Sequence, residues 1–279
     1  MKRLVLGFVG AILLAFAASA QEVTFPEVGD SVPGVDGATY LDLVREVVTD
    51  AAIGPDGWAT GTKVTPLRHV AGDDRTVLPP ERAVLETGIS ALPLADGKRL
   101  LLMFEIGRPE GDAANFAVLA LYRLDATPRL LDAVDVGYDE SNFFLNPPIS
   151  PLGGGDMILT LGLHFNSSQV YQTTGITLLR GDRFEFIDGV FTFDEHACAF
   201  DRTQRIAFDI QPPTGTFATI DASVTELTTL TGEDCGEDPA PQDAERTIAN
   251  AYEWDAVQER YVPDSDAFER LRQENEQRF

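Results

Sequence analysis

Residues 122–135 of the chain are YRLDATPRLLDAVD, and this stretch predicts a β-hairpin. Tyr122 and an apolar residue end one strand, an Asp-Ala pair begins a tight connection, and Arg129 begins the returning strand. Aspartate suits such a corner because its side chain can hydrogen-bond to its own backbone and hold the turn. Residues 252–266, YEWDAVQERYVPDSD, have nearly the same order of residue types and predict a second hairpin of this design.

A third, looser copy lies between these two hairpins. Residues 178–190, LLRGDRFEFIDGV, have a Gly-Asp turn and return through Ile-Asp-Gly-Val, which parallels Leu-Asp-Ala-Val in the first hairpin. Three hairpins of one design predict a unit of about four short strands that is used repeatedly. The alternative is that hairpins built on Tyr, Asp and Arg resemble one another by chance. The wider interval before the last copy is interpreted as an insertion around Cys198 and Cys235.

The sequence from Thr60 to Val262 has the pattern that is typical of an antiparallel β protein. Short runs rich in Val, Ile, Leu, Phe, Thr and Tyr are separated by Gly, Pro, Asp and Asn clusters. In residues 157–165, MILTLGLHF, apolar residues alternate with others, as in a strand with one buried face. A propeller needs at least about four blades, and three copies are found. We therefore predict an antiparallel, hairpin-rich sandwich or a large curved sheet, with propeller-like repeats as the alternative.

The chain divides into four predicted parts. Residues 1–20 are predicted to be a cleaved signal peptide, and residues 21–37 an extended N-terminal arm. Residues 38–263 are predicted to form a single β-rich domain, in which an apolar stripe over 38–53 indicates a capping amphipathic helix. Residues 264–279 are polar and predict a short C-terminal helix or tail.

The first residues indicate export. Lys2 and Arg3 precede an apolar run over residues 4–18, which ends in an Ala-Ser-Ala box, so we expect cleavage following Ala20. A transmembrane anchor is disfavoured, because about 20 apolar residues are needed to span a bilayer. We expect no membrane span in the mature chain and a periplasmic or secreted location.

The charge of the chain limits the classes of partner, and its cysteine content bears on the compartment. The chain has 45 acidic and 21 basic residues and a formal net charge of −24, which disfavours nucleic acid. Cys198 and Cys235 are its two cysteines, and we expect them to form a disulfide in an oxidising compartment. A redox-active pair would more often show two closely spaced cysteines.

The candidate binding residues are His164, Asn166, Gln169, Tyr171 and His196. The first four crowd one predicted hairpin, where polar groups can line a sugar- or peptide-binding groove. The alternative is the solvated tip of a hairpin. Asp and His two residues apart near Cys198 could form half of a zinc site, but no compact metal motif occurs, so no metal or cofactor is predicted.

The sequence predicts a function only in outline. It contains no Gly-x-Ser-x-Gly elbow, no His-Glu-x-x-His pair and no phosphate-binding Gly-Lys-Ser or Gly-Lys-Thr loop. We therefore expect a non-enzymatic binding or envelope-associated module with a protein or carbohydrate ligand. The alternative is a periplasmic hydrolase that acts on a polysaccharide or peptide.

Overall fold

The computed structural model describes residues 21–55, 57–76, 83–107, 116–232, 235 and 242–278. The predicted signal peptide, residues 1–20, lies outside the described residues. The described chain is mainly β-structure, with two eight-stranded sheets and two helices, which confirms the predicted class. Within this part of the chain, no helix is long and apolar enough to cross a membrane.

The two sheets contain different strands and differ in strand order. The first sheet contains β1 (Ala52–Ile53), β2 (Ala59–Gly61), β3 (Arg68–His69), β4 (Gly72–Thr76), β5 (Ala83–Pro93), β6 (Arg99–Gly107), β7 (Phe116–Arg123) and β8 (Arg129–Asp135). Their order is β1-β2-β5-β6-β7-β8-β3-β4, and among these described strands only β3 and β8 pair in parallel. The second sheet is antiparallel in chain order and contains β9 (Ser141–Pro151), β10 (Asp156–Phe165), β11 (Gln169–Arg180), β12 (Arg183–His196), β13 (Phe200–Ile210), β14 (Ile220–Leu230), β15 (Ala244–Asp255) and β16 (Arg260–Pro263).

The strands from β5 onward form three antiparallel meanders of four strands each. Meander 1 is β5–β8, meander 2 is β9–β12 and meander 3 is β13–β16. The three hairpins predicted from sequence are β7–β8, β11–β12 and β15–β16, which are the last two strands of each meander. The segment between Cys198 and Cys235 is not an insertion, because it supplies the first two strands of meander 3.

The meanders stack face to face around separate apolar cores. Among the described residues, β12 and β13 pair at only two positions, so meander 3 turns back over meander 2. The core between meanders 1 and 2 includes Met103, Leu119, Ile158 and Phe184. The core between meanders 2 and 3 includes Met157, Ile176, Ile220 and Tyr252. The outer face of meander 1 is covered by residues 32–51. Each large apolar side chain buried in these cores contributes about 1.5–3 kcal/mol to the stability of the fold.

An aspartate on the fourth strand of each of the first two meanders bonds to the next meander. The Oδ2 atom of Asp132 accepts the backbone N–H of Phe184 at 2.8 Å, which joins meander 1 to meander 2. The Oδ2 atom of Asp188 accepts the Tyr252 hydroxyl at 2.6 Å, which joins meander 2 to meander 3. These two aspartates are the ones that align in the first and third sequence copies, so the repetition extends from the turns to the contacts between meanders.

The predicted capping helix over residues 38–53 is much shorter in the structure. Helix α1 covers only Tyr40–Val44. The backbone after it pairs with a later segment, because Thr49 donates to the Lys63 carbonyl at 2.9 Å and Thr65 donates to the Val47 carbonyl at 2.8 Å. The apolar stripe is still buried, but turns and an isolated bridge bury it instead of four helical turns.

The two chain ends of the described region are both held by backbone pairing or packing. Thr24 in the N-terminal arm exchanges two backbone hydrogen bonds with Ala91 of β5, each 2.8 Å long. Helix α2 covers Ala267–Glu276, within the region where the sequence predicts a C-terminal helix or tail. Its Phe268 and Leu271 are buried in the core between meanders 2 and 3, so α2 is packed as part of that core.

Candidate functional site

The structure divides the five predicted binding residues between two faces of meander 2. His164 of β10 is directly opposite Tyr171 of β11, and Gln169 is directly opposite Glu195 of β12. Successive side chains of a strand point to opposite faces, so His196 lies on the other face from these residues. His164 and His196 therefore do not project from the same face of meander 2.

Asn166 and Gln169 organise the tip of the β10–β11 hairpin. The Oδ1 atom of Asn166 accepts the backbone N–H groups of Ser168 and Gln169, both at 3.0 Å. The Oε1 atom of Gln169 accepts the Tyr171 hydroxyl at 2.5 Å and the Asn166 amide at 3.2 Å. Asn166 therefore acts as a turn residue, and Gln169 fixes the orientation of the Tyr171 ring.

The residues around the disulfide are held by other partners. Cys198 and Cys235 are joined with an S–S distance of 2.03 Å, which confirms the predicted disulfide. The Nδ1 atom of His196 lies 3.0 Å from the Oδ1 atom of Asp201, while the carboxylate of Asp194 accepts Arg205 at 2.7 Å. Among the described residues, no group of three or more His, Cys, Asp or Glu side chains is arranged to hold a metal ion.

A furrow of three glycines crosses the face of meander 2 that carries His164 and Tyr171. A methyl group at Gly162 would lie 2.8 Å from the Cβ atom of Tyr138, and one at Gly175 would lie 2.9 Å from its Cε2 atom. At Gly189 it would lie 3.2 Å from the Tyr138 hydroxyl oxygen. The Tyr138 side chain therefore fits against the sheet only because β10, β11 and β12 each place a glycine on this face, with Gly175 directly opposite Gly189.

An aromatic row runs beside this furrow. The ring centroids of His164 and Tyr171 are 5.6 Å apart, and those of Tyr171 and Phe193 are 5.3 Å apart. The Nδ1 atom of His164 lies 3.1 Å from a carboxylate oxygen of Glu140 and 3.6 Å from one of Asp139. Burial raises the pKa of Asp139, although the nearby histidine acts in the opposite direction. Two of the predicted residues, His164 and Tyr171, thus belong to a row of adjoining rings that ends at the buried Phe193.

A cavity of about 460 Å³ lies along β12; we call it the β12 cleft, and its described lining includes none of the five predicted binding residues. Its lining includes Phe186, Gly189 and Phe191 of β12, Tyr138 and Thr173. Phe186, Phe191 and Thr173 project from the same face as Tyr171, because Phe186 is opposite Thr177 and Phe191 is opposite Thr173. Sequence reasoning missed this cleft, although a glycine on the same face of three consecutive strands is a detectable signal.

Charged side chains form the remaining wall of the β12 cleft. Helix α2 contributes Glu269, Arg272 and Glu276, and β12 contributes Asp188. Arg272 donates to Glu269 at 2.7 Å and also pairs with Glu276. The hydrogen bond from Arg272 lowers the pKa of Glu269 to about 2, so this carboxylate is charged at neutral pH. The carboxylates of Glu269 and Glu276 outnumber the single guanidinium group of Arg272, so the helical side of the wall has an excess of negative charge.

A second concavity, of about 700 Å³, lies between the N-terminal arm and β9. Its lining is mostly apolar and includes Phe25, Phe143 and Leu145. Gln21 and Glu22 also border it, directly after the undescribed residues 1–20. Because one side of this groove adjoins an undescribed segment, the β12 cleft is the better-defined candidate site.

Comparisons of the chain with family models, with curated proteins and with solved structures gave no match. The functional interpretation therefore rests on the geometry of the site.

Proposed function

We propose that this protein is exported and acts as a non-enzymatic binding module whose ligand occupies the β12 cleft. The observation that carries the proposal is the cavity of about 460 Å³, lined by the rings of Tyr138, Phe186 and Phe191. Ligand sites are concave, largely apolar and furnished with a few oriented polar groups. The β12 cleft has this composition, with Thr173 and Arg272 among its polar groups.

The aromatic residues supply most of the expected contact energy. Phe, Tyr and Trp side chains offer large rigid surfaces, and aromatic contacts add about 0.5–1.5 kcal/mol beyond simple burial. The glycine furrow supports the ring of Tyr138, so this wall is ordered before a ligand arrives. A ligand then loses less free energy to the ordering of the site. A segment of a protein and a carbohydrate are both compatible with such a surface.

Export is proposed from the leader sequence and is compatible with the disulfide. Disulfides persist mainly in oxidising compartments such as the periplasm or the exterior, and Cys198 and Cys235 are bonded. Expression with the native leader, followed by mass measurement of the mature protein, tests this part of the proposal. We expect a chain that begins at Gln21, and a chain that retains residues 1–20 in the cytoplasm would contradict it.

Hydrolysis of a polysaccharide or peptide is the weaker alternative. His164 and His196 were its candidate residues, and they lie on opposite faces of meander 2. His164 contacts the carboxylates of Asp139 and Glu140. A panel of polysaccharide and peptide substrates should therefore show no turnover, and turnover abolished by replacing either histidine would overturn the binding proposal.

The binding proposal is tested with a pair of phenylalanine variants. Phe191→Ala removes one wall of the β12 cleft, whereas Phe165→Ala removes a ring that is 70% exposed on the opposite face. A panel of soluble oligosaccharides, peptides and small metabolites is screened by thermal shift and followed by calorimetry. We expect at least one class to bind the wild type and the Phe165→Ala variant equally, and to bind Phe191→Ala about tenfold more weakly. Equal binding by all three proteins, or no binding by the wild type at millimolar concentrations, would refute the proposal.

A further inference from the structure

We infer that the ligand of the β12 cleft carries a positively charged ammonium group. This inference rests on the proposed function, because it specifies the chemistry of a ligand bound at that site. Two independent properties of the wall of the β12 cleft support it, namely its aromatic rings and its charge.

The aromatic part of the wall favours a cation. The face of an aromatic ring carries negative potential, and a cation within about 6 Å of the ring centroid is attracted to it. Tyr138, Phe186 and Phe191 reach the cleft from the loop after β8 and from two positions of β12. Several rings around one cavity provide the arrangement by which proteins recognise ammonium groups.

The charged part of the wall points in the same direction. Glu269 and Glu276 both pair with Arg272, so the guanidinium charge is offset inside the wall. The two carboxylates exceed this single cation by one negative charge. The chain as a whole carries a formal charge of −24, which raises the local concentration of cations and repels anions.

The dimensions of the cleft limit what can enter. A volume of about 460 Å³ suits a small molecule. The ammonium group can therefore belong to a free small cation or to a lysine side chain that projects from a peptide. Both sources present the same chemistry to the rings and carboxylates, and they are separated by experiment.

The charge requirement is tested with ligands that are matched in shape. Choline is compared with 3,3-dimethylbutan-1-ol, in which carbon replaces the charged nitrogen, by calorimetry at low ionic strength. A trilysine peptide with an acetylated N-terminus and an amidated C-terminus is compared with its fully ε-acetylated form in the same way. We expect at least one charged compound to bind about tenfold more tightly than its neutral counterpart. Preference for choline alone indicates a small cation, and preference for trilysine indicates a peptide side chain.

Two arginine variants connect this preference to the cleft. Arg272→Gln removes the cation of the wall and releases Glu269 and Glu276, so the affinity for the charged compound should rise roughly fivefold. Arg270→Gln is the matched control, because Arg270 lies on the same helix, is exposed and pairs with Asp266. Its affinity should equal that of the wild type. Urea unfolding of both variants verifies that α2 remains folded.

The possible outcomes separate the two proposals. If a neutral compound binds as tightly as its charged counterpart, and Phe191→Ala weakens both, the cleft is a binding site and the ammonium inference is wrong. If a neutral oligosaccharide or peptide binds at the cleft while all cations fail, the inference is again overturned and the proposed function stands. If no compound depends on Phe191, both proposals fail. An unchanged or lower cation affinity in a folded Arg272→Gln variant also contradicts the inference.

Discussion

Replacing Glu226 by glutamine should destabilise the protein at neutral pH and have little effect near pH 2. Glu226 lies on β14, and its side chain is only 9% exposed. Its Oε1 atom accepts Arg246 at 2.9 Å, and its Oε2 atom accepts Arg278 at 2.7 Å and Gln204 at 2.6 Å. Arg278 follows helix α2, so this carboxylate joins the helix to meander 3.

The magnitude follows from the pKa of the carboxyl group. Burial alone would raise the pKa of Glu226, but the hydrogen bonds from Arg278, Arg246 and Gln204 outweigh it and lower the pKa from 4.5 to about 2. This difference corresponds to about 3 kcal/mol of stability. Because the pKa is lower in the folded state, the stabilisation is complete above about pH 4.5 and is lost as the pH falls toward 2.

Urea unfolding at a series of pH values between 7 and 2.5 measures this contribution. We expect the free energy of unfolding of Glu226→Gln to be about 3 kcal/mol below that of the wild type at pH 7, with a smaller difference at each pH below 4.5. Glu245→Gln is the control, because Glu245 is an exposed acid on the neighbouring strand β15 and should change stability by less than about 0.5 kcal/mol. A difference that stays constant across this pH range would refute the reasoning.

Three further predictions concern the hairpins and the disulfide. Tyr252→Phe should cost about 2 kcal/mol in urea unfolding because its hydroxyl donates to a carboxylate, and Tyr122→Phe about 1 kcal/mol because its hydroxyl donates to a backbone carbonyl; equal losses would contradict this. Replacing Cys198 and Cys235 by alanine should remove up to about 4 kcal/mol, since the bond spans 37 residues; an unchanged urea midpoint would count against it. The free energy of unfolding should fall above pH 10. Burial raises the pKa of Tyr122, Tyr252 and Tyr261, the last to about 12, so the unfolded chain loses these tyrosine protons at a lower pH than the folded chain does. A flat stability profile between pH 9.5 and 12 would contradict this prediction.

The hairpins could be predicted from the sequence because their signals are local. Turn residues and alternating apolar residues lie within about a dozen positions of each other, so β7–β8, β11–β12 and β15–β16 were recognisable. The buried role of Tyr122 and Tyr252 follows from the same pattern, and both side chains are fully buried. Helix α1 could not be predicted correctly, because pairing between residues 47–49 and 63–65 interrupts a stripe that favours a helix.

The candidate site was only partly predictable, because its walls come from distant parts of the chain. His164, Gln169 and Tyr171 belong to one hairpin and could be identified together, but they lie outside the described lining of the β12 cleft. Phe191 and Arg272 are far apart in sequence, and they line one cleft only because α2 packs beside β12. The sequence pattern does not distinguish the faces of His164 and His196, whereas the strand register assigns them to opposite faces.

The position of the cleft follows from the divergence of β12 and β13. After two paired positions these strands separate, and polar side chains replace the missing backbone partners. The Oε1 atom of Gln204 accepts the Phe193 N–H at 2.9 Å, and the Asn275 amide donates to the Phe191 carbonyl at 3.3 Å. The side chains of Gln204 and Asn275 are fully buried, and the Asn275 amide donates to the Oε1 atom of Gln204 at 2.8 Å.

The hydrogen bonds that Gln204 and Asn275 make to β12, in place of a paired strand, connect folding to the proposed site. Asn275 can reach β12 only when α2 is docked, and the docked helix supplies the carboxylate wall of the cleft. Removing the amide by Asn275→Ala would leave Gln204 and the Phe191 carbonyl without this buried partner, at a cost of about 1–3 kcal/mol. Because the same helix carries Glu269 and Glu276, loss of this contact should weaken ligand binding as well as stability. The divergence of two strands thus creates both the need for α2 and the cleft that α2 completes.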